Sequence, residues 1–126
     1  GAPAPSAIVI NLGTNDFARR IPPREAFVSR YVQFVELLYD AYPNAPFFLL
    51  LGCSITDSPT RQRRTALNSY LDEIAQACQS QGMIVHRFDH TPQGPLGYGC
   101  DWHPNLAQQQ LNGDETAAFI AEKMGW

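Results

Sequence analysis

Three short apolar runs, separated by longer stretches with helical spacing, limit what this chain can fold into. They are Ala7-Ile8-Val9-Ile10-Asn11-Leu12, Phe47-Phe48-Leu49-Leu50-Leu51-Gly52 and Met83-Ile84-Val85-His86-Arg87-Phe88. Nearly continuous apolar runs of this length read as strands buried on both faces. Pro22-Pro23 opens the first intervening helix, where a missing amide costs nothing. Phe27, Tyr31, Phe34, Val35, Leu38 and Tyr42 follow at helical spacing, and Pro43 closes it. Asp57-Ser58-Pro59 is the expected start of the second helix, with Leu67, Leu71, Ile74 and Cys78 as its inward stripe and Gly82 as its stop. A last helical stretch runs towards Phe119, Ile120 and Met124, weakened in its middle by Gly113. The order βαβαβα predicts an α/β domain, a parallel sheet flanked by helices.

In such sheets the ligand crevice lies beyond the carboxyl ends of the strands. Three polar segments leave those ends: Gly13-Thr14-Asn15-Asp16, Gly52-Cys53-Ser54, and the loop ending in Asp101-Trp102-His103. An Asp-x-His spacing is too tight for one helical face. It fits a loop that presents both side chains to one pocket. Asp101 would then orient one ring nitrogen of His103 and leave the other to act as a base on a hydroxyl; a plain polar loop is the alternative. Trp102 either braces this loop or faces a sugar ring. Pro104 restricts His103 to extended backbone and can open the following helix. Gly13 lets the chain turn sharply off its strand, and Asn15 offers an amide donor for an oxyanion. Asp16 caps the next turn or ties the loop down. Here the alternative is a simple tight turn, in which Asn-Asp is common.

Composition removes several other functions. A chain of 126 residues is at most one domain. Its net charge of −3 argues against a nucleic-acid partner. The densest basic group, Arg61, Arg63 and Arg64, reads as the solvated start of a helix. No apolar run approaches the roughly 20 residues a membrane helix needs. No cluster has metal-ligand spacing, and no cofactor is expected. Three cysteines give no complete disulfide framework. Cys78 sits in a helical apolar pattern and is expected to be buried. Cys53 and Cys100 each follow a strand, either bridged, which would imply an oxidising setting, or free. Residues 1–6, Gly-Ala-Pro-Ala-Pro-Ser, read as a linker or cut loop ahead of a domain spanning 7–126.

Taken together, "VINLGTNDF" at 9–17 and "CDWHPN" at 100–105 resemble the third and fifth sequence blocks of the SGNH/GDSL hydrolase superfamily. The chain is most similar to carbohydrate esterase family two, the acetyl-xylan-type esterases, from about Ala7 to its end. The resemblance implies a flavodoxin-like three-layer fold, of which these residues would be the C-terminal portion. It implies His103 as catalytic base, Asp101 as its orienting acid, and Asn15 and Gly13 at the oxyanion hole. Some members of that esterase family work with a Ser-His dyad and no acid. After the His-Pro pair many relatives carry Gly-His, where this chain has Gln108-Gln109.

The family's nucleophilic serine lies in an earlier Gly-Asp-Ser block that has no counterpart among these residues. "GCSIT" at 52–56 looks like that block, which makes Ser54 a candidate nucleophile. In the family's order, however, this stretch follows the asparagine block, and a loop or helix-capping serine is the alternative. A missing first strand would leave residues 8–12 as an apolar edge open to another chain. The expected partner is therefore an N-terminal fragment of the same protein, or a second copy in a homodimer along that edge. The implied function is that of a secreted esterase that deacetylates polysaccharide or sugar by a Ser-His-Asp triad whose serine lies outside these residues. The alternative is an inactive remnant that binds carbohydrate or a protein partner.

Overall fold

The computed structural model describes residues 3–126. Gly1 and Ala2, the first residues of the expected linker, lie outside the described residues, and Pro3–Ser6 carry no helix or strand. Three strands, β1 (Ile8–Ile10), β2 (Phe47–Leu51) and β3 (Val85–Asp89), form one parallel sheet in the order β1-β2-β3. Ile8 pairs with Phe47 and Phe47 with Val85, so the strands start level and end on one side.

The pleat of β2 divides the core. Phe47, Leu49 and Leu51 point to one face, where they pack with Val28, Tyr31 and Val35 of α1 (Arg24–Ala41) and Leu67, Leu71 and Ile74 of α2 (Arg63–Ser80). Phe48 points to the other face, where Phe119 of α3 (Leu106–Met124) meets Phe48, His86 and Phe88. Full burial of such side chains stabilises the fold by about 1.5–3 kcal/mol each. The central strand is thus covered on both sides, as its unbroken apolar run requires. β1 is covered on one side only: Ile10 is buried, but Val9 on the opposite face is 45% exposed.

Several boundaries differ from expectation. β1 ends at Ile10, because Asn11 leaves the ladder to lie over the end of β2. A Cβ on Gly52 would stand 3.0 Å from Asn11 Oδ1 and 3.2 Å from Thr14 Oγ1, tighter than an ordinary contact, so these side chains would have to give way to it. β3 begins two residues late and includes Asp89, following its pairing with Leu51. α2 starts at Arg63, not near Asp57. Ser58 and Arg61 exchange backbone hydrogen bonds and close a turn around Pro59. Asp57 still serves the helix from outside, accepting from the Thr65 amide at 3.1 Å and from the Thr65 hydroxyl. The Thr65 hydroxyl holds this carboxyl below its usual range. α3 runs unbroken through Gly113; the Asn105 side chain caps its start, accepting from the Gln108 amide at 2.9 Å. Gln108 is 1% exposed and donates to the Thr91 carbonyl and to Asn112 Oδ1.

Candidate active site

The first loop is fixed by its ends. Gly13 has φ +115°, a conformation L side chains rarely adopt, and an added Cβ would stand 2.8 Å from Leu67 Cδ1. Phe17 donates its amide to the Gly13 carbonyl and is fully buried, edge-on to Phe27 and Tyr70. Anchored at both ends, the turn leaves Asn15 and Asp16 exposed. Asp16 and Gly13 line a groove of about 400 Å³ between Leu12 and α1, together with Phe27, Tyr31 and Phe34.

Arginines tie the loops together, contrary to the reading of Arg61, Arg63 and Arg64 as a merely solvated helix start. Arg61 donates to the Arg19 carbonyl and Arg63 to the Ala18 carbonyl. Arg64 reaches the carbonyls of Gly52 (3.0 Å), Ile55 (3.3 Å) and His90 (2.7 Å). One guanidinium, with its donors in a fixed fork, thereby links the ends of β2 and β3. Ser54 sits between the first two loops, lining a small cavity of about 90 Å³ with Thr14, Ala18, Ile55 and Arg63. Its hydroxyl lies 3.8 Å from Cys53 Sγ, and no histidine reaches it among the described residues.

The third loop is the most heavily bonded. His90 is buried, with Nδ1 3.3 Å from Glu115 Oε2 and Nε2 3.3 Å from Thr116 Oγ1 on α3. Burial pushes the Glu115 carboxyl up, but the Thr91 hydroxyl and amide, with His90, outweigh it and hold the group below the usual carboxylate range. The Gln93 amide donates to the Cys53 carbonyl at 3.0 Å. Its side chain, 7% exposed, donates from Nε2 to the Trp102 carbonyl at 2.8 Å. Asp101 (φ 50°) and Trp102 (φ 60°) are both left-handed, at a cost of about 1–2 kcal/mol each.

This double twist decides what faces His103. The Cys100 carbonyl accepts from the His103 amide at 3.0 Å and lies 3.1 Å from His103 Nδ1. A carbonyl is an acceptor only, so this contact is a hydrogen bond when Nδ1 carries the proton, and in the neutral ring Nε2 is then left with its lone pair. The Asp101 carboxylate makes no hydrogen bond with the imidazole, although it is two residues away. Trp102 is 73% exposed, edge-on to Tyr98 at 5.3 Å. Cys53 is buried, Cys100 exposed, and neither is bridged; Asn112 donates to Cys53 Sγ at 3.1 Å.

Gly13, Asn15, Asp16, Ser54 and His103 therefore lie on loops that follow the carboxyl ends of the strands, with Asp101 and Trp102 in a short 3-10 turn, Cys100–Trp102, within the third. No hydrogen bond joins Asn15, Ser54 and His103 among the described residues. The reading of the sequence overlooked Gln93, His90 with Glu115, and the Cys100 carbonyl, and it gave Arg64 no part in the site. A glutamine within a Gly/Pro-rich loop is a faint signal, and a backbone carbonyl leaves none.

The model of the GDSL-like Lipase/Acylhydrolase family matches residues 2–111. The chain is 35% identical over 124 residues to the cellulase/esterase CelE of Acetivibrio thermocellus, covering 97% of this chain and 15% of that protein. It is 30% identical over 122 residues to an acetylxylan esterase/glucomannan deacetylase of Cellvibrio japonicus, covering 97% of this chain and 32% of that one. Its backbone superposes on a family two carbohydrate esterase from Clostridium thermocellum, solved with cellohexaose, with a TM-score of 0.90 and 32% identity. That match covers 98% of this chain and 37% of the other.

Proposed function

The chain belongs to the GDSL-like lipase/acylhydrolase family, with relatives in carbohydrate esterase family two, and on that premise we propose that it is part of a serine esterase that removes acetyl groups from carbohydrate. One observation carries this reading: the exposed imidazole of His103, its Nδ1 engaged by the Cys100 carbonyl and its Nε2 free to accept a proton.

In the proposed reaction a serine hydroxyl attacks the acetyl carbonyl and its proton passes to His103 Nε2. The serine belongs to a segment outside these residues, as the resemblance implies. The Asn15 amide, with the Gly13 backbone, stabilises the oxyanion. His103 returns the proton to the sugar oxygen as the ester bond breaks. A water then gives its proton to His103 and attacks the acyl-enzyme, releasing acetate and restoring the serine. Asp101, the proposed acid of the triad, acts through its negative charge beside the loop, because the Cys100 carbonyl takes the orienting hydrogen bond. Acetylated polysaccharide, met outside the cell, is the proposed substrate, and Trp102 offers it a ring face.

The open edge of β1 and the adjoining groove receive the N-terminal segment in this proposal; a second copy of the chain is the alternative occupant. A second reading, carbohydrate binding without turnover, is favoured by the exposure of Trp102 beside Tyr98. Hydrolysis of p-nitrophenyl acetate separates the two. The chain alone is expected to be nearly inactive, and adding the N-terminal segment restores saturable turnover that His103→Ala abolishes. Turnover by the chain alone that Ser54→Ala removes would assign the nucleophile to Ser54 instead. Sugar binding with no turnover after adding the segment would leave the second reading standing.

A further inference from the structure

We propose that Gln93 is a positioning residue for His103: it holds the Trp102 carbonyl, and so keeps the Cys100 carbonyl on Nδ1 and selects the imidazole tautomer with a basic Nε2. Its importance for catalysis rests on the esterase reading above; its effect on the tautomer does not.

The path runs through consecutive contacts. The Gln93 amide is bonded to the Cys53 carbonyl in the turn after β2, so the side chain starts from an anchored backbone. Nε2 then meets the Trp102 carbonyl at 2.8 Å. Only the amino group can donate to a carbonyl, so this amide orientation is forced. Oε1 is left buried with no partner among the described residues, so Gln93 engages its surroundings through the amino group. Trp102 is a bulky residue in a left-handed conformation, an outlier that lasts only where its surroundings hold it. With Asp101 also left-handed, the chain reverses over three residues. This reversal brings the Cys100 carbonyl to both the amide and the ring of His103. Released from Gln93, Trp102 keeps no hydrogen bond on its carbonyl and is free to relax, although the Gly99 amide still holds the His103 carbonyl at 2.7 Å. Nδ1 then loses its acceptor, and the imidazole goes over to the Nε2–H form that prevails in free histidine. In that form Nε2 holds a proton and is no base.

Ring nitrogen shifts measured by NMR at a pH where His103 is neutral report the tautomer directly and need no ester hydrolysis. The wild-type chain is expected to show His103 as Nδ1–H. Gln93→Met, which keeps the volume and removes the donor, should lose that signature, and Gln93→Asn, which withdraws the donor by one methylene, should lose it in part. Gln108→Met is the control: this glutamine is as deeply buried but bonds Thr91 and Asn112, so its loss should lower stability and leave the tautomer alone. In the enzyme reconstituted with its N-terminal segment, Gln93→Met should lower kcat about 10²-fold with KM unchanged. The proposal is overturned if the wild-type ring is Nε2–H, or if a folded Gln93 variant keeps Nδ1–H. Should both variants unfold, the wild-type Gln93 side-chain protons decide: rapid exchange with solvent, or no cross-relaxation to the 102–103 backbone, overturns it. An inactive reconstituted enzyme with the tautomer behaving as expected would sink the esterase reading alone.

Discussion

On the β3 side of the crevice the 90–103 loop is bonded to β2 through the His90 amide, to the turn after β2 through Gln93, to α2 through Arg64 and to α3 through the His90 ring and Glu115. On the β1 side a three-residue strand lies at the sheet edge, Val9 and Leu12 are 45% and 52% exposed, and an apolar groove runs between Leu12 and α1. The first region holds a histidine in a chosen tautomer; the second leaves apolar surface that soluble proteins rarely keep bare. In the proposed enzyme the base is thus assembled within this chain, whereas the surface next to the oxyanion turn awaits a partner. The contrast can be attacked from either side.

The largest effect is expected at the base. In the reconstituted esterase His103→Ala should cost about 10⁴-fold or more in kcat. Asp101→Asn is the informative companion. An acid that itself orients the imidazole is worth about 10⁴-fold; with the Cys100 carbonyl in that place, the loss should stay below about tenfold. A loss near the larger figure would mean that Asp101 displaces the carbonyl once the site is complete.

Next come two substitutions read by urea unfolding. Gly13→Ala meets both a positive φ and the Leu67 side chain and should cost about 3 kcal/mol. Arg64→Met leaves three loop carbonyls without their charged donor and should cost about 2 kcal/mol. If the first left stability untouched, the β1 turn would be looser than the β3 loop even at its buried end.

A smaller effect belongs to pH. Burial, then the neighbouring Lys123, lowers the His86 pKa from its ordinary 6.5. Glu115 is likewise held below its ordinary 4.5. A group with a lowered folded pKa lends stability that is complete above the unfolded pKa and lost as pH falls through the folded one. Acid should therefore loosen the α3 face first through His86, below about pH 6.5, and then through Glu115. His86→Phe should flatten the first part of that decline in thermal melts.

The order of elements was legible because β2 is covered on both faces and carries an unbroken apolar run, while α1 and α2 carry one buried stripe each. Boundaries were less so, because partners outside the segment set them: Asn11 leaves β1 for Gly52, and Pro59 closes a turn that postpones α2 to Arg63. Gly113 does not break α3, whose capped start and buried Gln108 and Phe119 contacts offset one weak position. At the candidate site, proximity in sequence did not translate into a direct contact. Asp101 and His103 are two residues apart, yet the left-handed pair turns a carbonyl, not the carboxylate, onto Nδ1. Side-chain chemistry can be read from letters; the direction of a peptide group depends on φ and ψ, which here depend on a glutamine eight residues before Asp101.

The gentlest substitution cuts the contrast most cleanly. Val9→Lys places a charge on the exposed outer face of an edge strand, a device that blocks further strand pairing. Val9 lies outside the buried core cluster, so the stability of the chain by itself should change by less than about 0.5 kcal/mol. Association with the N-terminal segment, followed by sedimentation or by recovery of esterase turnover, should be lost, and any self-association with it. Ring nitrogen shifts of His103 should remain those of wild type, since the β3 loop is bonded to β2, α2 and α3 and not to β1. If Val9→Lys lowers stability as much as Arg64→Met, the β1 edge is part of the finished core. If it leaves association intact, the partner docks elsewhere and the groove beside Leu12 has another occupant.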